Sequence, residues 1–412
     1  MELNLFSTDG IYANVNVVFD DSIYQAIDDT VFELRVNQRF NSSITFPSYA
    51  NSVRILGNPY NFNQPINLPP NAQNLSSCFG SCSNFNQPVT IPNTAISCYG
   101  MFQSCSNFNQ PISIPDSVTN CGYIFSGATN FNQPITIPNN VTYCYQMFWA
   151  TPMNSPVTIL NGVKNCYGLF KSAGNFNQPI NIPDSVTNVY QMFDTATNFN
   201  SEVSLGNNII DCGYMFNHCI NFNQSINIPN SVTQCNYMFQ NTYSFNKPLE
   251  IPNGVLNCMY MFQWSTEYNS TVIIPSSVIN TAYMFNTINS CPYNFYNGRF
   301  APFDNKALKA PIYFYANSIF KDSAQYMFQY CNSMSDLYLI GLQNNMQLNR
   351  FMRNNGTVRC NIYTDDVSQN HLYNTYLLVN GGKPTWTNDT DNGCIYNTAM
   401  NLYIYNNWDG SI

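Results

Sequence analysis

Charged residues are scarce in this chain. Lys, Arg, Asp and Glu make up 9% of the 412 residues, the formal net charge is −8, and no run of Lys or Arg occurs. A protein without a basic patch releases few counterions from phosphates, so we expect no nucleic-acid partner and no anionic membrane surface. Because 44% of the residues are hydrophobic and 15% aromatic, the composition is also unlike that of a disordered chain.

Long apolar runs and an export signal are missing too. No stretch approaches the ~20 consecutive apolar residues that cross a bilayer. Residues 1–20 lack a basic start followed by an apolar block. We therefore expect no membrane insertion and folding in a cytoplasm, from which the chain could still leave by lysis or within a particle.

Groups that perform catalysis are few. His218 and His371 are the two histidines, and neither belongs to a recognisable constellation. His218 lies beside Cys219 and near Cys212, but both cysteines occupy positions that a repeat, described below, assigns to the core. No phosphate loop, nucleophile elbow or zinc spacing occurs. We expect a non-enzyme without cofactor or metal, with a carbohydrate-active enzyme on a repeat scaffold as an alternative.

One phrase, Phe-Asn-Gln-Pro, returns along the chain at intervals of 22 or 23 residues. A period this strict is typical of a solenoid, in which each repeat forms one coil and buries its apolar side chains against its neighbours. Copies begin at Phe62, Phe85, Phe108, Phe131, Phe176, Phe199, Phe222 and Phe245, degenerate copies at Met153 and Tyr268, and a forerunner at Phe40.

The repeat divides the chain into four segments. Residues 40–286 hold eleven regular repeats, and residues 287–364 hold degenerate repeats with an insertion, Thr287 to Leu308. Residues 1–39 are predicted to cap the first coil or to attach it to an assembly, since an open first coil exposes a strand edge. Residues 365–412 are predicted to form a C-terminal cap, beginning with a helix at Asp366 to Leu378. Further strands are predicted at Tyr12–Phe19, Val31–Val36, Pro311–Phe314, Leu337–Leu339 and Cys360–Tyr363.

Each repeat follows one pattern, clearest after Phe108. Ile112 and Ile114 flank Ser113, which predicts a short strand with isoleucine inward and serine outward, bracketed by prolines that lack an N–H donor. The later apolar positions lie three and four residues apart, as at Cys121 and Phe125, which predicts a helical or 3₁₀ turn on the opposite side. The asparagine that follows each repeat phenylalanine is predicted to stack into an amide ladder inside a bend.

The fifteen cysteines are predicted to be reduced and buried. Seven occupy one repeat position, where Val189 stands in another copy, and a position that accepts valine is an apolar core position. Stacked coils ~4.8 Å apart would nevertheless bring neighbouring cysteines within disulfide reach. The column comprises Cys98, Cys121, Cys144, Cys166, Cys212, Cys235 and Cys258.

The order Ile-x-Ile-Pro-x-x-Val-Thr-x-x-x-x-Met-Phe resembles the BspA-like leucine-rich repeat of bacterial and protist surface proteins. Copies with Met101-Phe102 or Met215-Phe216 and Phe-Asn-Gln are similar to a mycoplasma-type variant of that repeat. The resemblance covers about residues 40 to 290. It implies a right-handed leucine-rich-repeat solenoid, with a short-stranded parallel sheet on one face and turns or 3₁₀ segments on the other. It also implies a role in adhesion, with no catalytic motif to transfer.

Two surfaces are candidates for binding. The first, called the stripe below, is the outward residue of each predicted strand, a neutral row suited to hydrogen bonds with neutral glycans or simply to solubility. The second, called the tyrosine column, would stack on sugars or on a protein, unless its rings pack on each other along the side wall. The stripe comprises Asn67, Thr90, Ser113, Thr136, Thr158, Asn181, Ser204, Asn227, Glu250 and Ile273; the column comprises Tyr214, Tyr237, Tyr260 and Tyr283, with Tyr99, Tyr145, Tyr167 and Tyr190 one position earlier in other copies.

The C-terminal stretches Thr385–Thr387, Tyr396–Thr398 and Asn401–Tyr405 resemble the ends of repeat proteins encoded by phages of low-GC bacteria. We therefore predict a phage virion protein of the tail or fibre, made in the host cytoplasm. Its expected partners are other virion proteins or a host-surface glycan or protein, and it could form a homo-oligomer. The alternative is a bacterial or protist cell-surface adhesin.

Overall fold

The computed structural model describes residues 31–36, 38–57 and 59–286, together with the backbone of short strands nearer the two ends. The chain divides into two compact units, Met1–Gly206 (unit 1) and Asn207–Ile412 (unit 2). The predicted insertion at Thr287 to Leu308, the predicted helix at Asp366 to Leu378, and His371 lie outside the described residues.

Unit 1 contains short parallel strand pairs. They are β1 (Glu2–Leu5), β2 (Val17–Val18), β3 (Val31–Val36), β4 (Ile44–Thr45), β5 (Ser52–Gly57), β6 (Ile135–Ile137), β7 (Val157–Ile159), β8 (Ile180–Asn181) and β9 (Val203–Ser204). Strands β1, β3 and β5 form one sheet, and β2 pairs with β4, β6 with β7 and β8 with β9. All of these pairs are parallel.

Unit 2 contains one eight-stranded sheet. Its strands are β10 (Leu249–Glu250), β11 (Val272–Ile274), β12 (Ile312–Tyr315), β13 (Asp336–Ile340), β14 (Cys360–Thr364), β15 (Thr387–Asp389), β16 (Cys394–Asn397) and β17 (Leu402–Asn406). The order is β10-β11-β12-β13-β14-β17-β16-β15, parallel as far as β17 and antiparallel beyond it. The strands predicted after the insertion are therefore confirmed as β12, β13 and β14.

Successive repeats stack in register within each unit. In unit 1, single bridges join Ser52, Asn74, Ser97, Asn120, Tyr143, Asn165 and Asn188 in turn, and in unit 2 they join Asp211, Gln234, Asn257 and Asn280. Every step is 22 or 23 residues, so the repeat period is also the length of one coil. Strand β3 pairs with β5, and β2 with β4, so the coil geometry extends upstream of Phe40 into the segment predicted as a cap.

Two files of phenylalanine rings fill the interior of each unit. Phe85, Phe108 and Phe131 stack at centroid distances of 6.1 and 5.9 Å, and all three are fully buried. The second file interleaves with the first, with Phe102 4.0 Å from Phe108 and Phe125 3.9 Å from Phe131. Because each ring touches rings of the neighbouring coils, a single coil has no complete core, which is why the repeat must be iterated.

The side of each coil opposite the strand consists of successive hydrogen-bonded turns. Ser77 and Ser81 have left-handed backbone dihedrals, with φ of 55° and 65°, and the matching positions of other coils do the same. Gly80 N–H donates to Ser77 O within the coil (3.0 Å), whereas Ser81 N–H donates to Gln103 O of the next coil (2.8 Å). A helix directs every N–H along its own axis. The predicted turns are therefore confirmed, but they do not continue into a helix: residues 59–286 contain neither an α-helix nor a 3₁₀-helix.

The cysteines follow the prediction. Every cysteine in the described residues is free and buried. Burial raises the pKa of the Cys98 thiol to about 12. The Sγ atoms of Cys144 and Cys166, which are one shortened repeat apart, lie 3.7 Å from each other and form no disulfide.

The predicted asparagine ladder is present. Asn109 Oδ1 accepts the backbone N–H of Asn132 in the next coil (2.9 Å) and also the Nε2–H of Gln133 (3.1 Å). Asn86 Oδ1 does the same for Asn109 N–H (2.9 Å). The ladder lies at the partly exposed bend instead of inside it, and it commits each of these amides to the neighbouring coil.

Candidate functional site

The stripe lies on the surface as predicted. In β6 and β7 the flanking residues are buried and the central Thr136 and Thr158 are exposed. The same alternation occurs in repeats where no strand pairing forms, as at Thr90 between Val89 and Ile91. The predicted sheet is therefore interrupted, because prolines at both ends withdraw N–H donors and leave each ladder two or three residues long.

The stripe side chains are not used by the fold. The predicted binding residues of this row are exposed, and none has a side-chain hydrogen bond to another described residue. The amides of the asparagine ladder, by contrast, are all bonded between coils. The residues concerned are Asn67, Thr90, Ser113, Thr136 and Asn181 in unit 1 and Asn227 in unit 2.

The tyrosine column forms a continuous stack in unit 2. Ring centroids lie 4.2 Å apart between Tyr214 and Tyr237, and 4.7 Å apart from Tyr237 to Tyr260 and from Tyr260 to Tyr283. Each residue has a left-handed backbone. Burial, aided by the neighbouring tyrosines, raises the pKa of Tyr237 and of Tyr260 to about 12.

This stacking decides what the column can bind. The faces of Tyr237 and Tyr260 are both covered by neighbouring rings, so a sugar cannot stack on them. A ligand reaches their edges and hydroxyl groups only. The alternative stated from the sequence, that the rings pack on each other along the side wall, describes the observed geometry.

In unit 1 the tyrosines at or next to the same repeat position are arranged differently. Tyr123 lies edge-on to Tyr99 (5.6 Å) and to Tyr145 (5.4 Å). Gly122 makes room for the last of these, because a Cβ there would lie 2.8 Å from Tyr145 Cζ. Burial raises the pKa of Tyr123 and Tyr145. Tyr167 and Tyr190, which the sequence placed one position earlier in other copies, stack with their ring centroids 5.7 Å apart.

Part of the stripe lines a cleft in unit 2 of about 550 Å³. The lining has two rows of side chains, called its walls below, and also includes Ile251 and Pro252. The first wall is the stripe residues Asn227, Glu250 and Ile273, and the second, called the turn row below, is Asn230, Asn253 and Ser276.

The turn row is the part of the site that the sequence reasoning missed. Its members directly follow the fixed proline of each repeat, where a polar residue is typical of a turn. The usable signal is that this position is polar in coil after coil, as at Asn93, Asp116 and Asn139, and is exposed in each.

Lys171 and Asp194 form an ion pair away from the cleft. Lys171 Nζ lies 2.9 Å from Asp194 Oδ2 and donates to Gln191 Oε1 (2.9 Å), which also accepts the Tyr167 hydroxyl (3.0 Å). His218 occupies a left-handed turn position beside the buried Cys219. In the part of the chain that the structure describes, no three His, Cys, Asp or Glu side chains converge as a metal ion requires. That same part has no helix of the length and hydropathy needed to cross a bilayer.

Comparison with known proteins gives one family match. The family described as "Mycoplasma protein of unknown function, DUF285" matches residues 73–183, 137–228, 170–273 and 206–298, which together span more than half of the chain. No curated protein matches.

Two solved structures are similar at low scores. One is a leucine-rich cell-surface protein of Faecalibacterium prausnitzii A2-165, with 14% identity and a TM-score of 0.31 over 100% of this chain and 88% of that one. The other is a leucine-rich repeat protein of Bacteroides ovatus, with 12% identity and a TM-score of 0.39 over 90% of this chain and 91% of that one. None of these descriptions mentions a phage.

Proposed function

The chain belongs to the DUF285 family of mycoplasma proteins, and on that premise we propose that it is a non-catalytic repeat protein that acts in adhesion at a cell surface. Its coils form a right-handed solenoid of the leucine-rich-repeat type. The stripe is the surface that contacts the partner, which is a neutral glycan or a protein on another cell.

One observation carries this proposal: the stripe residues from Asn67 to Glu250 are exposed, and the fold leaves their hydrogen-bonding side chains unused. Thr90, Ser113 and Thr136 stand on successive coils, about 4.8 Å apart. From Asn67 to Asn227 each coil adds one more neutral donor or acceptor, so weak contacts accumulate along the row. A face built this way suits attachment to an extended surface better than capture of a single small molecule.

The competing prediction, a tail or fibre protein of a phage particle, would use the same stripe. No similarity found for this chain supports it, so the cell-surface role is preferred. The two roles are distinguished by the location of the chain. If the chain acts at the cell surface, protease added to intact cells of the source organism degrades it. If the chain is found only in purified phage particles, the cell-surface role is wrong.

The stripe is tested with a triple variant, Thr90→Lys, Ser113→Lys and Thr136→Lys. Three like charges on adjacent coils should abolish attachment of the purified chain to host cells while the circular-dichroism spectrum stays unchanged. A matched control carries lysine at Thr119 and Thr129, which are exposed elsewhere on the coil. Undiminished attachment of the triple variant would refute the role of the stripe.

A further inference from the structure

The cleft of unit 2 is lined by two rows of side chains from consecutive coils. The stripe contributes Asn227 and Glu250, and the turn row contributes Asn230 and Asn253. The fixed proline between them, Pro229 or Pro252, is buried and turns the chain, so each coil presents one side chain to each wall. A ligand in the cleft is therefore contacted by both walls and by several coils.

The polar groups of both walls are uncommitted. Asn227, Asn230, Glu250, Asn253 and Ser276 have no side-chain hydrogen bond within the described residues. Amides on other sides of the coil bond between repeats, as Asn257 Nδ2–H does to Gln234 Oε1 (3.2 Å). A side-chain amide offers two donors and two acceptor lone pairs, so these walls have a high density of free partners of both kinds.

The chemistry of the walls selects the ligand. Glu250 is the single charged residue that lines the cleft, and no basic residue lines it, so an anionic ligand is repelled. A carboxylate accepts two hydrogen bonds side by side, which matches two neighbouring hydroxyl groups. Ile228, Ile251 and Pro252 also line the cleft but are almost fully buried, so a ligand would meet mainly the polar side chains of the two walls.

An extended peptide fits less well. A strand binds a peptide through its unpaired backbone edge. Here the neighbouring coils already pair with one another, as Leu249 with Val272 and Glu250 with Ile273. A peptide lying across these coils could not use that edge, whereas the hydroxyl groups of a chain of sugar rings can donate to and accept from the wall amides.

We propose that the cleft lined by the stripe residues Asn227 and Glu250 and the turn-row residues Asn230, Asn253 and Ser276 is a binding site for a neutral oligosaccharide. The inference deepens the adhesion role and rests on it. The cleft volume of about 550 Å³ is in the range of ligand pockets, which points to a short saccharide segment instead of a single sugar ring. Repetition of both walls at the coil spacing favours a linear chain that runs along the stack of coils.

The test uses the full-length chain on an array of neutral glycans, with heparin as the anionic probe. Neutral glycans should bind and heparin should not. Glu250→Gln should lower the affinity for the neutral ligand about tenfold, the effect of one hydrogen bond to a charged acceptor. Asn253→Ala should lower it severalfold.

Matched controls are Glu267→Gln and Asn175→Ala, which change the same residue types at exposed positions away from the cleft. Both should bind as the unmodified chain does, and thermal unfolding should show that all variants are folded. Binding that survives both cleft variants, a preference for heparin, or no glycan binding at all would each overturn the inference. In those cases the lysine variants of the stripe still decide the adhesion role, because they are scored on cell attachment.

Discussion

Replacing Phe131 by alanine should remove about 4 kcal/mol from the free energy of unfolding of the affected coils. Phe131 is fully buried. Its ring lies 3.9 Å from Phe125, 5.9 Å from Phe108 and 6.4 Å from Phe148, measured between centroids. Truncation of such a ring costs roughly 3–5 kcal/mol, because the transfer free energy is lost and a cavity remains.

The site leaves little room for the cavity to close. The rings on either side belong to different coils, and the coils are held at a fixed spacing by backbone hydrogen bonds, such as Phe125 N–H to Met147 O (3.1 Å). Collapse onto the cavity would break that register. We therefore place the expected loss in the middle of the range, and expect Phe131→Leu to lose less.

The measurement must be local, because a stack of coils need not unfold in one step. Native-state hydrogen exchange should show faster opening of the coils from Phe108 to Phe148, with distant coils changed least. Thr136→Ala is the control, since Thr136 is exposed on the same stretch of chain and has no side-chain hydrogen bond; it should change stability by less than ~0.5 kcal/mol. A loss below ~1 kcal/mol for Phe131→Ala would refute the shared-core reasoning.

Three further outcomes are expected. Asn109→Ala removes the Oδ1 that accepts Asn132 N–H (2.9 Å), so it should lower the free energy of unfolding in urea by roughly 1–2 kcal/mol. Asn109→Asp keeps an Oδ1 acceptor and is the control, so an equal loss in both variants would contradict this role of the hydrogen bond. The pKa of Tyr237 and Tyr260 is raised from 10.0 to about 12, so the folded state holds their protons longer than the unfolded state. The stability this contributes is complete below pH 10 and is lost as the pH rises towards 12, which tyrosinate absorbance together with unfolding will show; ionisation near pH 10 in the folded chain would contradict it. Burial raises the pKa of Cys98 to about 12, so iodoacetamide should label this thiol only after denaturation, as mass spectrometry will detect, and rapid labelling of the folded chain would disprove its burial.

Much of the coil could be predicted from the sequence. Period-2 alternation placed Thr136 outside and Ile135 inside, and both positions are confirmed. The cysteine column was assigned to the core because valine replaces cysteine at one of its positions, and the cysteines are buried. These predictions succeeded because each depends on which residue types a repeat position tolerates, and the many copies of the repeat show those residue types directly.

The turn segment could not be predicted in the same way. Apolar residues three and four apart occur both in a helix and in consecutive turns with left-handed residues, as at Ser77 and Ser81. A helix and these consecutive turns differ in the hydrogen-bond acceptor of every second backbone N–H group. That partner lies on the next coil, 22 residues further along, as Gln103 does for Ser81.

The amino-acid sequence by itself determined the length of the coil, the residues of its interior, the neutral stripe and the burial of the cysteines in the described repeats. Only the tertiary structure decided that the rings of Tyr237 and Tyr260 cover each other, and that Glu250 and Asn253 line the same cleft. The physical reason is that these two kinds of property arise at different levels of the structure. Burial and exposure follow from the repeat position within one coil, whereas an open ring face or a cleft depends on how adjacent coils are placed against each other.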